Sequence, residues 1–255
     1  MCGRYVAATP SAALASHFDA RVADEAALEP SYNVAPTDPV AAVACRPTGE
    51  RRLGRFQWGL IPSWSNPSAG AGGKLTAARP PLINARAETV GSKSPFRAAF
   101  IRRRCLVPAD AFYEWERVDG ARRPWLIRAV DGAPLAFAGL WETLRPAGPE
   151  GPRLTTCAIV TTTANATLRS IHDRMPVIVP RDRWDAWLDP DETNPEALKS
   201  LMGPAPDDLL ERYRVSSAVN HVARNDPTLI EAEPVGSPPA PDPGSPEGPV
   251  PLSLL

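Results

Sequence analysis

Lysine is scarce in this 255-residue sequence, which has only Lys74, Lys93 and Lys199. The formal net charge is -1. No whole-protein positive field exists to gather nucleic acid, so any such binding needs a local basic face. The four cysteines, Cys2, Cys45, Cys105 and Cys157, form no C-x-x-C pair, and the three histidines show no zinc-ligand spacing. No metal and no cofactor are expected. The glycine-rich run at 70–73 lacks a preceding strand and a following lysine-serine pair, which excludes a phosphate-binding loop. There is no basic stretch followed by an apolar run at the N-terminus, and no run of 18 apolar residues. A reducing cytoplasm, free thiols and no membrane contact are the expectation. Arginine is plentiful and suits bidentate phosphate contacts, although genomic base composition accounts for most of the excess.

Proline is concentrated at the C-terminal end. The stretch Pro234–Leu255 holds eight prolines and three glycines, so residues 234–255 read as a disordered tail behind a single domain at 2–233. Ser65–Pro81 reads as a surface loop. In between, apolar runs predict strands at Pro39–Cys45, Leu53–Trp58, Arg104–Val107, Trp125–Val130, Leu135–Leu140, Leu154–Thr162 and Val177–Val179. Thr9 is expected to cap a helix with Pro10 at its first position, running towards Phe18. Asn194-Pro195 repeats the start signal, with Gly203 as a stop. Arg181–Leu188 predicts a short helix whose Trp184, Trp187 and Leu188 face the core. The fold class expected is α+β: a single domain with a mostly antiparallel, barrel-like β-sheet core and a few short helices.

The chemistry begins at Met1-Cys2-Gly3-Arg4-Tyr5. A small residue at position two is compatible with removal of Met1. Removal leaves an α-amine and a thiol on one carbon, with reference pKa values of about 7.7–8.0 and about 8.5. Both nucleophilic forms are then expected near neutral pH. Such a β-aminothiol condenses with aldehydes: the amine gives an imine, and the sulfur closes a five-membered thiazolidine.

Several motifs accompany it: Ser31-Tyr32-Asn33-Val34-Ala35-Pro36, Trp58-Gly59-Leu60-Ile61-Pro62-Ser63-Trp64, Ile83-Asn84-Ala85-Arg86-Ala87-Glu88-Thr89, Phe112-Tyr113-Glu114-Trp115 and Ile171-His172-Asp173-Arg174-Met175-Pro176. In this order, from Cys2 to about Pro234, the chain resembles the SOS response-associated peptidase family of abasic-site processing proteins. The resemblance implies a monomeric sensor of abasic sites in single-stranded DNA. It would form a covalent thiazolidine crosslink that shields the lesion from strand cleavage, with possible autopeptidase removal of Met1. Cys2 would be the nucleophile, and Asn84 would hydrogen-bond the crosslinked residue or the opened sugar. Glu114 would be the general acid/base, and His172 would move a proton on the deoxyribose. Arg4 and Arg86 would hold phosphates, Trp58 and Trp115 would shape the site or stack on bases, and Arg174 joins the expected DNA-binding set.

Each residue also has a plainer reading. Glu114 is an outward carboxylate on an alternating strand, or a desolvated acid with a raised pKa among its aromatic neighbours. His172 is a loop residue packed before Pro176, or a proton carrier needing little tuning. Asn84 is a turn residue, or an amide that orients amine and hydroxyl. The arginines, the run Arg102-Arg103-Arg104 included, form a solvated face or touch DNA. Cys45, Cys105 and Cys157 read as small core residues, and His17 and His221 as surface residues. Three rival functions use the same ends of the chain: an N-terminal-nucleophile cysteine amidohydrolase, a peptidase acting on other proteins, and a non-covalent reader of single strands.

Overall fold

The computed structural model describes residues 2–23, 28–65, 80–145 and 151–234, with the backbone of 68–69 and 75–76. The proline-rich stretch lies outside the described residues except for Pro234.

Five strands close into a barrel. They are β4 (Pro39–Cys45), β5 (Arg51–Trp58), β9 (Arg104–Ala109), β12 (Leu135–Leu144) and β13 (Leu154–Thr163). Hydrogen bonding runs β13-β12-β9-β4-β5 and returns to β13. Neighbours are antiparallel except at the closure, where β5 and β13 run parallel with Cys157 opposite Trp58. Full closure removes the unpaired edges an open sheet would leave.

Side chains alternate across these strands. Val40, Cys105, Val107, Phe137, Cys157 and Ile159 belong to one buried cluster, which extends to Cys2, Tyr5 and Phe112. The intervening residues, among them Val43, Leu106, Ala138 and Ala158, pack under the helices. These are α1 (Ser11–His17), α2 (Ser94–Arg102), α4 (Trp184–Leu188) and α5 (Pro195–Lys199), and α3 (Ala166–Arg169) follows β13. Trp184, Trp187 and Leu188 are buried, as the helical spacing predicts. Arg104 is buried too, and its guanidinium is filled by five main-chain carbonyls: Phe100 and Ile101 at the end of α2, then Trp187, Asp189 and Glu192. Orphan carbonyls at helix C-termini need donors, so Arg104 is a structural latch. Arg103 pairs with Glu142.

A second, five-stranded antiparallel sheet has the order β15-β11-β10-β1-β3. Its strands are β1 (Tyr5–Ala7), β3 (Ser31–Val34), β10 (Ala111–Val118), β11 (Ala121–Ala129) and β15 (Leu210–Arg214). The barrel feeds it directly, since β9 and β10 are separated only by Asp110. Short strands complete the set: β2 (Arg21–Val22), β6 (Ser68–Ala69), β7 (Leu75–Thr76), β8 (Asn84–Arg86) and β14 (Arg174–Pro176). No helix among the described residues is long and apolar enough to cross a membrane.

Several local expectations need correction. Thr9 does not cap α1. The N-cap is Pro10, without a side-chain bond, because the Thr9 hydroxyl and amide are both taken by Asp110. Asn194 does cap α5, which ends at Lys199 rather than Gly203. Residues 181–188 split into a 3-10 turn and α4. The strand expected at Val177–Val179 falls earlier, at β14, leaving Ile178 in a single bridge to Phe137. Ser65–Pro81 is not all loop: β6 and β7 pair within it. Cys45 is only partly buried, unlike Cys105 and Cys157. His17 is not a free surface residue, for its ring packs edge-on against Phe18 and Trp184.

Candidate active site

One strand collects two distant motifs. Along one edge of β13, Asn84 stands opposite Ile159 and Arg86 opposite Thr161. Along its other edge Pro176 stands opposite Thr161, and Arg174 opposite Thr163. The segments around Asn84 and His172 therefore flank the same few residues. Arg174 staples them together. Its guanidinium donates to both carboxylate oxygens of Glu88, at 2.6 and 3.0 Å, and to the Thr161 carbonyl at 2.6 Å.

The second sheet brings the N-terminus and Glu114 to this place. In β1, Tyr5 pairs with Phe112 of β10, and the Tyr113 amide donates to the Arg4 carbonyl at 3.0 Å. Asp110 holds the next stretch by accepting from the amides of Ala8 and Thr9 at 2.6 and 2.9 Å. Just ahead of β1, the Asn84 side chain donates to the Cys2 carbonyl at 2.9 Å. Cys2 is fully buried and Glu114 is 2 % exposed.

Burial dominates the electrostatics. It pushes the Glu114 carboxyl up to about 7. This corrects the outward-carboxylate reading. Burial, reinforced by the Glu114 charge, also pushes the Cys2 thiol far above its ordinary range. With Met1 still attached, the buried thiol is held in its neutral form.

Burial lowers the His172 pKa. Two neighbours compete for its Nδ1, since the Arg174 amide and an Asp173 carboxylate oxygen both lie at 2.9 Å. The amide can only donate, so it bonds Nδ1 when the imidazole is neutral, and the Asp173 carboxylate is its partner when Nδ1 is protonated. The Asp173 side chain is 86 % exposed, and solvent screens its pull. His172 is held by the turn after α3, its amide donating to the Leu168 carbonyl at 3.0 Å.

Residues 1–222 match the family profile described as SOS response associated peptidase (SRAP). The chain belongs to the SOS response-associated peptidase family. Abasic site processing protein YoaM of Bacillus subtilis (strain 168) is 40 % identical over 235 residues, covering 91 % of this chain and 99 % of YoaM. Abasic site processing protein YedK of Escherichia coli (strain K12) is 29 % identical over 201 residues, covering 78 % of this chain and 83 % of YedK. A solved structure of a protein from Bacteroides thetaiotaomicron superposes with a TM-score of 0.78 at 23 % identity, covering 91 % of this chain and all of that one. That likeness shows a shared fold.

Within this SRAP chain the expected DNA-contact residues divide. Arg86 is exposed beside the site. Trp58 is fully buried, its indole donating to the Ile83 carbonyl at 2.9 Å and its ring edge-on to Tyr5. It offers no face to a base, so of its two expected roles only shaping the site remains. Trp115 follows Glu114 and so points to the opposite face of β10, where it packs beside Tyr113 and donates to Asn220 at 2.7 Å. Arg174 is 8 % exposed and committed to Glu88 and Thr161, so in this structure it positions the two segments. Arg4 donates to Asn33 at 2.6 Å and to the Val219 carbonyl at 3.0 Å.

Asn33 and Asp110 are positioning residues that sequence reasoning missed. Asn33 also donates to the carbonyls of Val219, His221 and Arg224, tying the N-terminal segment to the loop after β15. Its only sequence signal is its place in the Ser31–Pro36 motif. Among the described residues, no group of three or more His, Cys, Asp or Glu side chains is arranged to hold a metal ion.

Proposed function

We propose that this protein processes abasic sites, and that Cys2, freed by removal of Met1, captures the lesion in single-stranded DNA as a thiazolidine crosslink. The supporting observation is the buried junction of Cys2 with Asn84 and Glu114: the amide bonds the Cys2 carbonyl, and burial pushes the neighbouring Glu114 carboxyl up to about 7. The names of YoaM and YedK point the same way.

The Cys2 α-amine adds to C1′ of the ring-opened sugar. Loss of one water, with Glu114 giving its proton to the departing hydroxyl, leaves an imine. The thiol then adds to the imine carbon. Its proton passes through the Glu114 carboxylate to the nitrogen as the C–S bond closes the five-membered ring. Removing the imine removes the electron sink that drives β-elimination, so the strand stays intact. His172 donates a hydrogen bond from Nε2 to a hydroxyl of the opened deoxyribose, and Asn84 orients the amine. Exposed Arg86 meets a flanking phosphate. No cofactor enters these steps, and the protein acts in the cytoplasm as a monomer.

The test combines mass spectrometry of the mature N-terminus with a denaturing gel of abasic single strands. Wild type should lack Met1 and give a detergent-resistant shifted band, and Cys2→Ala should give none. A band of equal intensity from the alanine variant, or capture with Met1 still in place, would remove Cys2 from the mechanism. Hydrolysis of glutamine or of unrelated peptides at useful rates, without the shifted band, would favour the amidohydrolase or peptidase reading.

A further inference from the structure

Between β13 and β14 the chain makes a short excursion that carries His172. Its ends are tied by the Ala164 amide, which donates to the Asp173 carbonyl at 2.9 Å. Inside it lie α3 and a turn whose Leu168 carbonyl accepts from the amides of Ile171 and His172 at 2.8 and 3.0 Å. The helix α3 has four residues, too few to hold its shape by helix propagation alone. The place of the imidazole therefore depends on what the excursion is fastened to.

It is fastened to residues 205–212, a distant stretch of the chain. Asn165 is 5 % exposed. Its Oδ1 caps α3 by accepting from the Leu168 amide at 3.1 Å, and its Nδ2 donates to the carbonyls of Ala205 and Pro206 at 3.1 and 3.3 Å. The Asp207 carboxylate accepts from the Ala166 amide at 2.8 Å, one of the open donors of the first turn. The Asp207 carbonyl accepts from the Thr167 hydroxyl at 2.7 Å. At the other end of α3, the Arg212 guanidinium donates to the hydroxyl of Ser170, the C-cap residue, at 2.8 Å. Underneath, Leu168, Ala205 and Leu210 belong to the buried cluster that holds Cys2.

Arg212 also faces the strand of Glu114. It stands opposite Ile127 of β11, and Ile127 stands opposite Phe112 of β10. Opposed residues of antiparallel strands share a face, so Arg212 lies on the face that carries Phe112 and Glu114, about 10 Å away across two strand spacings. Its guanidinium is 5.2 Å from the centroid of the Trp125 ring, and Trp125 stands opposite Glu114. One side chain thus touches both the His172 excursion and the neighbour of Glu114.

We propose that Asp207 and Arg212 are positioning residues that grip α3 at its two ends and so set the His172 imidazole relative to Glu114. This rests on the reading that His172 hydrogen-bonds the opened sugar. Neither residue touches the substrate, and each acts through the excursion. Asp207 and Ser170 are exposed, so losing these contacts costs little global stability, and the effect falls on where the imidazole sits.

The test is the double variant Asp207→Ala/Arg212→Ala, read by NMR of the imidazole protons and by single-turnover capture of abasic single strands. The chain has three histidines, and His172→Ala identifies the His172 signals by their loss. In the double variant the His172 signals should shift and broaden while those of His221 stay in place. Capture should slow about 10-fold, within what a misplacement near 1 Å produces, and binding to intact strands should not change. In a His172→Ala background the same two substitutions should slow capture no further, because they act through the imidazole. Asp207→Asn/Arg212→Lys keeps an acceptor and a cation in the same places and should recover most of the rate. Unmoved His172 signals, or an equal loss of rate in the His172→Ala background, would overturn the grip. Failure of wild type to capture abasic strands would overturn the Cys2 chemistry instead, and the imidazole signals would still decide the grip.

Discussion

Asn84 and Cys2 lie 82 positions apart and are joined by one hydrogen bond, the Asn84 amide donating to the Cys2 carbonyl at 2.9 Å. The other end of that amide, Oδ1, is buried with no hydrogen-bond partner. One end of the side chain fixes the Cys2 backbone, and under the proposed chemistry the other would accept from the amine or a sugar hydroxyl. Asn84→Ala should lower stability by about 1 kcal/mol and slow adduct formation by at least about 10-fold. Urea melts and single-turnover gels read the two effects separately. Lost stability with an unchanged rate would make Asn84 purely structural.

Glu114 makes stability depend on pH. Its folded-state pKa of about 7 lies above the ordinary carboxyl value of 4.5 because burial disfavours the charge. The folded protein therefore holds this proton more tightly than the unfolded chain. The contribution is complete below pH 4.5 and is lost as pH rises through 7. Glu114→Gln removes that dependence. Relative to wild type, the variant should gain on the order of 1–3 kcal/mol between about pH 5 and about pH 8. Urea midpoints at the two pH values measure it, and a constant difference would contradict the burial account.

Arg174 and Arg86 should behave oppositely, although both belong to motifs expected to bind DNA. Arg174→Ala strands the Thr161 carbonyl while half-exposed Glu88 turns to water, and should cost about 1–3 kcal/mol. It should leave the salt slope of DNA binding unchanged. Arg86→Ala should leave the melting temperature within a degree or so and reduce the salt slope by about 0.7. Binding isotherms at several salt concentrations, paired with thermal melts, distinguish the two.

Gly139 marks a tight point in the barrel. A Cβ there would lie 2.6 Å from the Cys105 sulfur and 3.1 Å from a Val107 methyl. Gly139→Ala should destabilise by about 1–3 kcal/mol, and adding Cys105→Ala should recover part of the loss. A double-mutant cycle in denaturant gives the coupling, and strict additivity would mean that the barrel relaxes elsewhere.

The barrel strands were legible because their signal is local. Pro39–Cys45, Leu135–Leu144 and Leu154–Thr163 are apolar runs buried on both faces. The strands β1 and β8, three residues each, give no periodicity, and pairing to distant residues is what makes them strands. The site depended on the same non-local pairing. The motifs named Cys2, Asn84, Glu114 and His172, but no local pattern says that β13 will seat two of their segments side by side. Residue type misled where burial decided. Trp58 and Arg174 suit nucleic acid chemically, and both lie inside.

The pairing of Tyr5 with Phe112 also sets an order of events during synthesis. β3 emerges early and offers β1 one edge, but until β10 has emerged from the ribosome the other edge of β1 has no partner and the burial of the first residues is incomplete. At ordinary elongation rates that interval lasts roughly 5–20 s. If capture uses a free Cys2 amine, as proposed, an aminopeptidase acting in trans would have this window in which to remove Met1. Under the same proposal a purification handle fused ahead of Cys2 should abolish capture, and a handle at the other end should not.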